Sequence, residues 1–249
     1  MERVILRHKI ANYLANKIKN IKSGYLGRVR FLLIYFIYHF LPLFGFDYSR
    51  LIEWRFILKN LPKNKKLRIL DVGCTSSLFI YELARYGKVF GVDARPYFEN
   101  LPKTIKFLQC DVSKTPFPDN YFDCITAISV IEHIGLGAYT DPAYDNGDFK
   151  AMEELRRIVR VGGMLFITTV IGNKYIITPN GNERIYDEER FGKLIEKKFS
   201  IAKEEYYIFR RRWVSVDKEK AFLESPVFLP SLKGFGLACL QLIKNTNNE

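Results

Sequence analysis

Residues 67–78, LRILDVGCTSSL, limit what this chain can fold into more than any other stretch. Ile69 and Leu70 lie in a short apolar run, Asp71 closes it, and Gly73 stands at the turn. Apolar residues then return at helical spacing as Phe79, Ile80, Leu83 and Ala84. A strand that turns sharply into a helix gathers free backbone N–H groups at one point, where a ligand can use them. Residues 89–93, VFGVD, read as a second buried strand that ends in a carboxylate. Strand, glycine turn, helix, strand and acid is the layout of a nucleotide-binding βαβ unit.

The rest of the chain reads as more of the same sheet. Residues 105–110, IKFLQC, are a third strand candidate followed by Asp111. Residues 122–130, FDCITAISV, are nearly all apolar, as a strand buried on both faces must be. Glu132 and His133 stand just past it, before a loop rich in glycine and aspartate over residues 135–148. Phe149, Met152, Leu155, Ile158 and Val159 predict a helix over 149–161, capped by Asp148 and ended by Gly162 and Gly163. Strands are expected at 164–170, 200–209 and 236–244, and a helix at 187–199 capped by Asp187. The alternation predicts an α/β fold: a Rossmann-like, seven-stranded, mainly parallel sheet with helices on both faces.

With 249 residues, 48% of them apolar, the chain suits one such domain with an extension. The polar break around Pro62 suggests a boundary there, with a helical extension over 1–62 and the α/β domain over 63–249. The net charge of +12 is concentrated early: residues 1–30 hold eight Lys or Arg against one acid, Glu2. Residues 31–46 then form an aromatic, apolar run of 16 residues containing His39 and Pro42. A membrane-crossing helix needs about 20 apolar residues, so this run is short, and it lacks a signal-peptide cleavage pattern. Two readings stay open for residues 1–46: a helix lying on an anionic membrane surface, or a cap over the domain. Cys74, Cys110, Cys124 and Cys239 show no CxxC spacing and read as reduced thiols, which points to a cytoplasmic protein, peripheral on the membrane if the first reading holds.

Four segments, in order and at the right separations, resemble the class I S-adenosylmethionine-dependent methyltransferases. They are ILDVGC at 69–74, VFGVDAR at 89–95, QCDVSKTPFPDNYFDCITAISVIEHI at 109–134, and LRRIVRVGGMLFITTV at 155–170. The tract EHIGLGAYTDPAYDNGDFKAMEELRRI at 132–158 resembles one poorly characterised branch. The resemblance implies S-adenosyl-L-methionine as cofactor, held by Asp71, Gly73, Cys74, Thr75, Ser77, Asp93, Ala94, Asp111, Val112 and Ser129. Asp93, twenty residues after Gly73, then accepts hydrogen bonds from the ribose hydroxyls, and Asp111 lies near the adenine. One departure is plain. The family's acid-x-Gly-x-Gly-x-Gly pattern has Thr75 and Ser77 in its second and third glycine positions here. These side chains either crowd the ligand or donate to its carboxylate. A nicotinamide dinucleotide fits less well, because that fingerprint needs glycine at 75 and 78, where Thr75 and Leu78 stand.

Methyl transfer from a sulfonium is an in-line displacement, and a hydroxyl acceptor must also lose its proton. His133 is the expected general base, with Glu132 second. A metal is not expected, since the acid of a Glu-x-x-Glu-His magnesium pattern is replaced by Ser129. The 135–148 loop, with Tyr139 and Tyr144, is expected to wall the acceptor pocket, and Arg184 and Tyr186 to face it. The expected activity is O-methylation of a small molecule, glycan or lipid-linked sugar. The alternatives are a nucleic-acid methyltransferase, prompted by the charge, and a non-catalytic S-adenosylmethionine-binding protein, prompted by the altered glycine pattern.

Overall fold

The computed structural model describes residues 49–63, 66–77, 79–97, 101, 103–138, 143–195, 199–210, 212–225 and 235–246. The two readings of residues 1–46 lie outside these residues. Nearly all of the described fold belongs to one compact unit, Arg55–Glu249. It opens with helix α1 (Ser49–Asn60) and strand β1 (Leu67–Val72), then α2 (Phe79–Leu83), β2 (Gly87–Asp93), β3 (Ile105–Gln109) and β4 (Phe122–Ile128). Helix α3 (Gly147–Ile158), β5 (Val159–Ile171) and a two-residue hairpin, β6 (Ile176–Ile177) and β7 (Arg184–Ile185), follow. The chain continues through α4 (Glu188–Ile195), β8 (Phe199–Arg210), β9 (Arg212–Val216), α5 (Lys218–Leu223) and β10 (Gly236–Lys244).

Eight strands form one sheet in the order β3-β2-β1-β4-β5-β10-β8-β9. β3 through β5 in that order are parallel, while β10 runs antiparallel to both β5 and β8. The central strands are buried on both sides, as at Ile69, Leu70, Cys124, Ile125, Leu165 and Phe166, so helices must cover both faces. α3 does so through Ala151, Met152, Leu155 and Ile158, all fully buried and one helical face apart. At roughly 2 kcal/mol per buried aliphatic side chain, that face outweighs any local propensity. Phe56 of α1 meets the Phe166 ring edge-on, with centroids 6.3 Å apart.

Three expectations are corrected. The helix expected to reach residue 161 ends at Ile158, and β5 begins at Val159 rather than 164. The carbonyls of Arg157 and Ile158 accept from the Asn120 and Tyr121 amides at 2.9 and 2.7 Å, so tertiary partners end the helix. Gly162, at φ +66°, lies inside the strand, where the register jumps from Phe122 opposite Val159 to Cys124 opposite Met164. Asp148 is not a cap: it is fully buried in the first turn of α3, and Asn146 occupies the cap position. Seven strands were expected and the sheet has eight, because the basic run around residue 212 turns back as β9 against β8. Asp187 does cap α4, accepting from the Arg190 amide at 2.9 Å.

Candidate active site

The strand order reverses direction of growth between β1 and β4, and ligands in open α/β sheets bind at the carboxyl ends of the strands at such a point. The carboxyl ends of β1, β2, β3 and β4 carry Gly73, Asp93, Asp111 and Ser129 respectively. The expected cofactor residues are thus brought together by topology rather than by sequence proximity.

Gly73 is required by both conformation and space. Its φ is +70°, and a Cβ there would meet Val130 Cγ2 at 2.4 Å. Its amide donates to the Val92 carbonyl at 2.8 Å, which ties the turn to β2. A 3-10 turn, Cys74–Ser76, follows. Gly91 of β2 makes room for it, since a Cβ there would lie 2.6 Å from Cys74 Sγ. Cys74 is buried, and that burial pushes its thiol far above the ordinary range, so it is an inert packing group. The half-buried Cys110 is pushed up to about 11, chiefly by burial.

The turn delivers Thr75 onto Asp93. Thr75 donates twice to Asp93 Oδ2, from its amide at 3.0 Å and its hydroxyl at 2.6 Å. Arg95 donates to the other oxygen, Oδ1, from its amide and its Nε, both at 3.0 Å, and to Oδ2 from Nη2 at 3.1 Å. Burial opposes ionisation of Asp93, but these bonds outweigh it and hold the carboxyl below its usual range. Arg95 was not expected as a site residue. Its position two residues after a strand-end acid is the only sequence signal for it. Ser77, in the third glycine position, accepts from the Phe79 amide at 3.1 Å and so starts α2.

The remaining expected cofactor residues divide. Asp71 is buried in β1 and accepts from Thr126 Oγ1 at 2.7 Å, which locks β1 to β4. Ala94 gives its carbonyl to Gln109 Nε2 at 2.9 Å. Asp111 accepts from the Ser113 amide at 2.8 Å and from the Tyr144 hydroxyl at 3.1 Å on each oxygen. Tyr144 therefore closes the 135–148 loop onto β3 instead of standing clear to stack on an acceptor. Val112 is a core residue, buried and packed in the main cluster. Ser129, at φ +46°, donates its amide to the Thr168 carbonyl and hydroxyl at 3.0 and 3.1 Å.

Glu132 and His133 lie on a second 3-10 turn, Ile131–His133. Glu132 is fully buried and accepts from Thr169 Oγ1 at 3.0 Å. His133 Nδ1 lies 2.5 Å from the Asn182 carbonyl oxygen. A carbonyl only accepts, so Nδ1 carries the proton and Nε2 is the basic nitrogen. Arg184 and Tyr186, expected to face the acceptor pocket, are both buried. Arg184 Nη1 donates to the Ile134 carbonyl at 2.7 Å, and Asp148 pairs with Arg184 at 3.7 Å and Arg190 at 2.8 Å. Burial first, then the nearby charges of Asp148 and Glu132, raises the Tyr186 phenol well above its usual value. Tyr139 lies outside the described residues. Glu132, His133 and Glu183 bring their ligand atoms within 4.8 Å of one another.

The comparisons agree with this geometry. A family model described as a methyltransferase domain matches residues 70–167, which span the Gly73 turn, Asp93, Asp111 and the Glu132–His133 turn. Residues 70–167 are similar to a methyltransferase domain, and the fold is a Rossmann-like methyltransferase fold. The chain is 28% identical over 135 residues to a demethylmenaquinone methyltransferase of Geobacillus kaustophilus, covering 47% of this chain and 52% of that one. It is 30% identical over 112 residues to a ubiquinone/menaquinone biosynthesis C-methyltransferase of Nitrosospira multiformis, covering 40% and 41%. The chain thus spans about half or less of the length of these curated relatives. Among solved structures, the fold is similar to the 1,6-didemethyltoxoflavin-N1-methyltransferase of Burkholderia thailandensis, solved with bound S-adenosylhomocysteine. The TM-score is 0.56 at 12% identity, covering 91% of this chain and 94% of that one. The cyclase SpnF matches with TM-score 0.53 at 16% identity, covering 78% and 81%, so the fold alone does not dictate the reaction.

The residues present fit S-adenosylmethionine. Gly73 permits close backbone approach, Asp93 is ionised at the end of β2, and Asp111 stands at the end of β3. The one difference is that Asp93 already holds Thr75 and Arg95.

Proposed function

We propose that this protein transfers a methyl group from S-adenosylmethionine to a hydroxyl of a small molecule, glycan or lipid-linked acceptor. When bound, the cofactor supplies an electrophilic methyl group on a sulfonium. The chain's own part is to hold the nucleoside at Gly73, Asp93 and Asp111, and to align and deprotonate the acceptor. The observation that carries this reading is the tautomer of His133. The Asn182 carbonyl fixes the proton on Nδ1, so Nε2 takes the acceptor's proton, and the imidazolium that forms keeps its Nδ1 hydrogen bond. Glu132, buried in the same turn and bonded to Thr169, holds the adjacent backbone in place.

A hydroxyl acceptor suits this site because it must lose its proton as it is methylated, and His133 supplies a base. The named relatives act on quinone precursors and on a nitrogen heterocycle, so the same fold serves several acceptor atoms. The test is incubation of the protein with methyl-labelled S-adenosylmethionine and a cell extract, followed by identification of the labelled product. A methyl ether formed together with stoichiometric S-adenosylhomocysteine supports the reading. Label on carbon or in nucleic acid overturns the acceptor assignment, and no transfer with any extract fraction overturns the activity.

A further inference from the structure

Asp93 carries more donors than a ribose site can spare. Its two oxygens offer about four lone-pair directions. Five donors already point at them: two from Thr75, and three from Arg95. The Thr75 bonds come from a short turn locked between Gly73 and α2, and the Arg95 amide belongs to the chain just past β2. Two of those three are backbone amides, and the third is the hydroxyl of a short β-branched side chain on that turn. The Arg95 guanidinium is different, being held through a long side chain that is 30% exposed beside a carboxylate only 5% exposed. It can turn out toward solvent without moving the backbone.

We infer that Arg95 is a competitor for the nucleoside, and that Asp93 accepts one ribose hydroxyl rather than two. With the guanidinium turned out, Oδ2 still holds both Thr75 donors, and Oδ1 still holds the Arg95 amide. One acceptor direction remains, on Oδ1. A glycine at 75 would leave Oδ2 with only the amide, and a cis-diol would then find an acceptor direction on each oxygen. The threonine in the family's second glycine position therefore consumes half of the diol site. Ligand affinity is reduced by the fraction of molecules whose Arg95 is turned out, because only they present the acceptor. This inference rests on the reading of the crevice as the nucleoside site.

The test is calorimetry with S-adenosylhomocysteine on the full chain and on Arg95→Ala and Thr75→Gly, each checked for an unchanged circular dichroism spectrum. Arg95→Ala is expected to lower Kd about tenfold, since a charge-assisted fork of this kind contributes on the order of that factor. Against Arg95→Ala, one of the 2′-deoxy and 3′-deoxy analogues is expected to bind within about twofold of the parent ligand, and the other about tenfold more weakly. In Thr75→Gly both analogues are expected to bind more weakly than the parent. An unchanged or raised Kd in Arg95→Ala overturns the competition, and equal losses for the two analogues overturn the single-hydroxyl site; in both cases the cofactor reading stands. No binding to any of the three proteins at millimolar ligand removes the cofactor reading itself. Should Arg95→Ala misfold, Arg95→Gln carries the same expectation, because it keeps the stem and loses the charge.

Discussion

Arg184 Nη1 donates to the backbone carbonyl of Ile134 at 2.7 Å, across fifty residues of sequence. The guanidinium is buried, and it also reaches toward the carbonyl of Glu132 at 3.4 Å. A strand-end residue of a two-residue hairpin thus holds both flanks of the turn that presents His133. Asp148 completes the arrangement, pairing with Arg184 from one side and Arg190 from the other.

Replacement of Arg184 by Met is therefore expected to be costly. It leaves two buried carbonyls without their donor and Asp148 with one cation instead of two. The expected loss is about 3 kcal/mol, or roughly 10 °C in Tm for a domain of this size. Thermal unfolding of Arg184→Met measures it, and a shift below about 2 °C would show that the pair is not structural.

Replacement of Gly73 by Ala forces a side chain into φ +70° and against Val130. The conformational cost alone is on the order of 1 kcal/mol, and the clash adds to it. Both a lowered Tm and a weaker S-adenosylhomocysteine Kd are expected. An alanine variant that binds the ligand as the parent does would place the nucleoside elsewhere.

His133→Ala is expected to lower turnover by roughly 10²- to 10⁴-fold, the usual worth of a positioned base. Cofactor affinity is expected to stay within about twofold, because the nucleoside is assigned to Gly73, Asp93 and Asp111, and His133 Nδ1 bonds to the Asn182 carbonyl. Turnover by single-product assay and Kd by calorimetry separate the two. Equal losses in both would make His133 a structural residue of the turn.

Acid should destabilise the domain through particular carboxylates. Asp93, Asp123 and Glu154 each keep a folded pKa below the ordinary value, since hydrogen bonds from Arg95 and Thr75, from Arg68 and Arg160, and from Arg157 and Thr115 outweigh burial. The unfolded chain then binds protons first as pH falls. Stability from these groups is present in full above their ordinary pKa values, 3.8 for Asp and 4.5 for Glu, and is lost progressively below them. Urea unfolding between pH 6 and pH 3 checks this. A midpoint that stays level down to pH 3, or rises, contradicts the assignment.

The linear chain determined the βαβ opening, the strand-end acids and the parallel order of the sheet. Each rests on local signals: apolar runs bounded by Gly73, Asp93 and Asp111, and the amphipathic spacing of Met152, Leu155 and Ile158. The C-terminus of α3 was not legible, because what ends that helix is the arrival of the Asn120 and Tyr121 amides, not the glycines that follow. β9 escaped for a related reason: a basic run is a solvated turn or an edge strand according to what lies beside it, and β8 decides.

The same division holds at the site. Residue type and spacing singled out Gly73, Asp93 and His133 as candidates, because each proposed role demands a particular chemistry near a strand end. Only the tertiary structure decided that Thr75 and Arg95 converge on one carboxylate, that Asp148 is a buried ionic partner, and that Arg184 bonds the carbonyls flanking His133. Those facts depend on which backbone atoms the fold brings within hydrogen-bonding distance, and hydrogen bonds between distant residues leave no periodicity in a sequence.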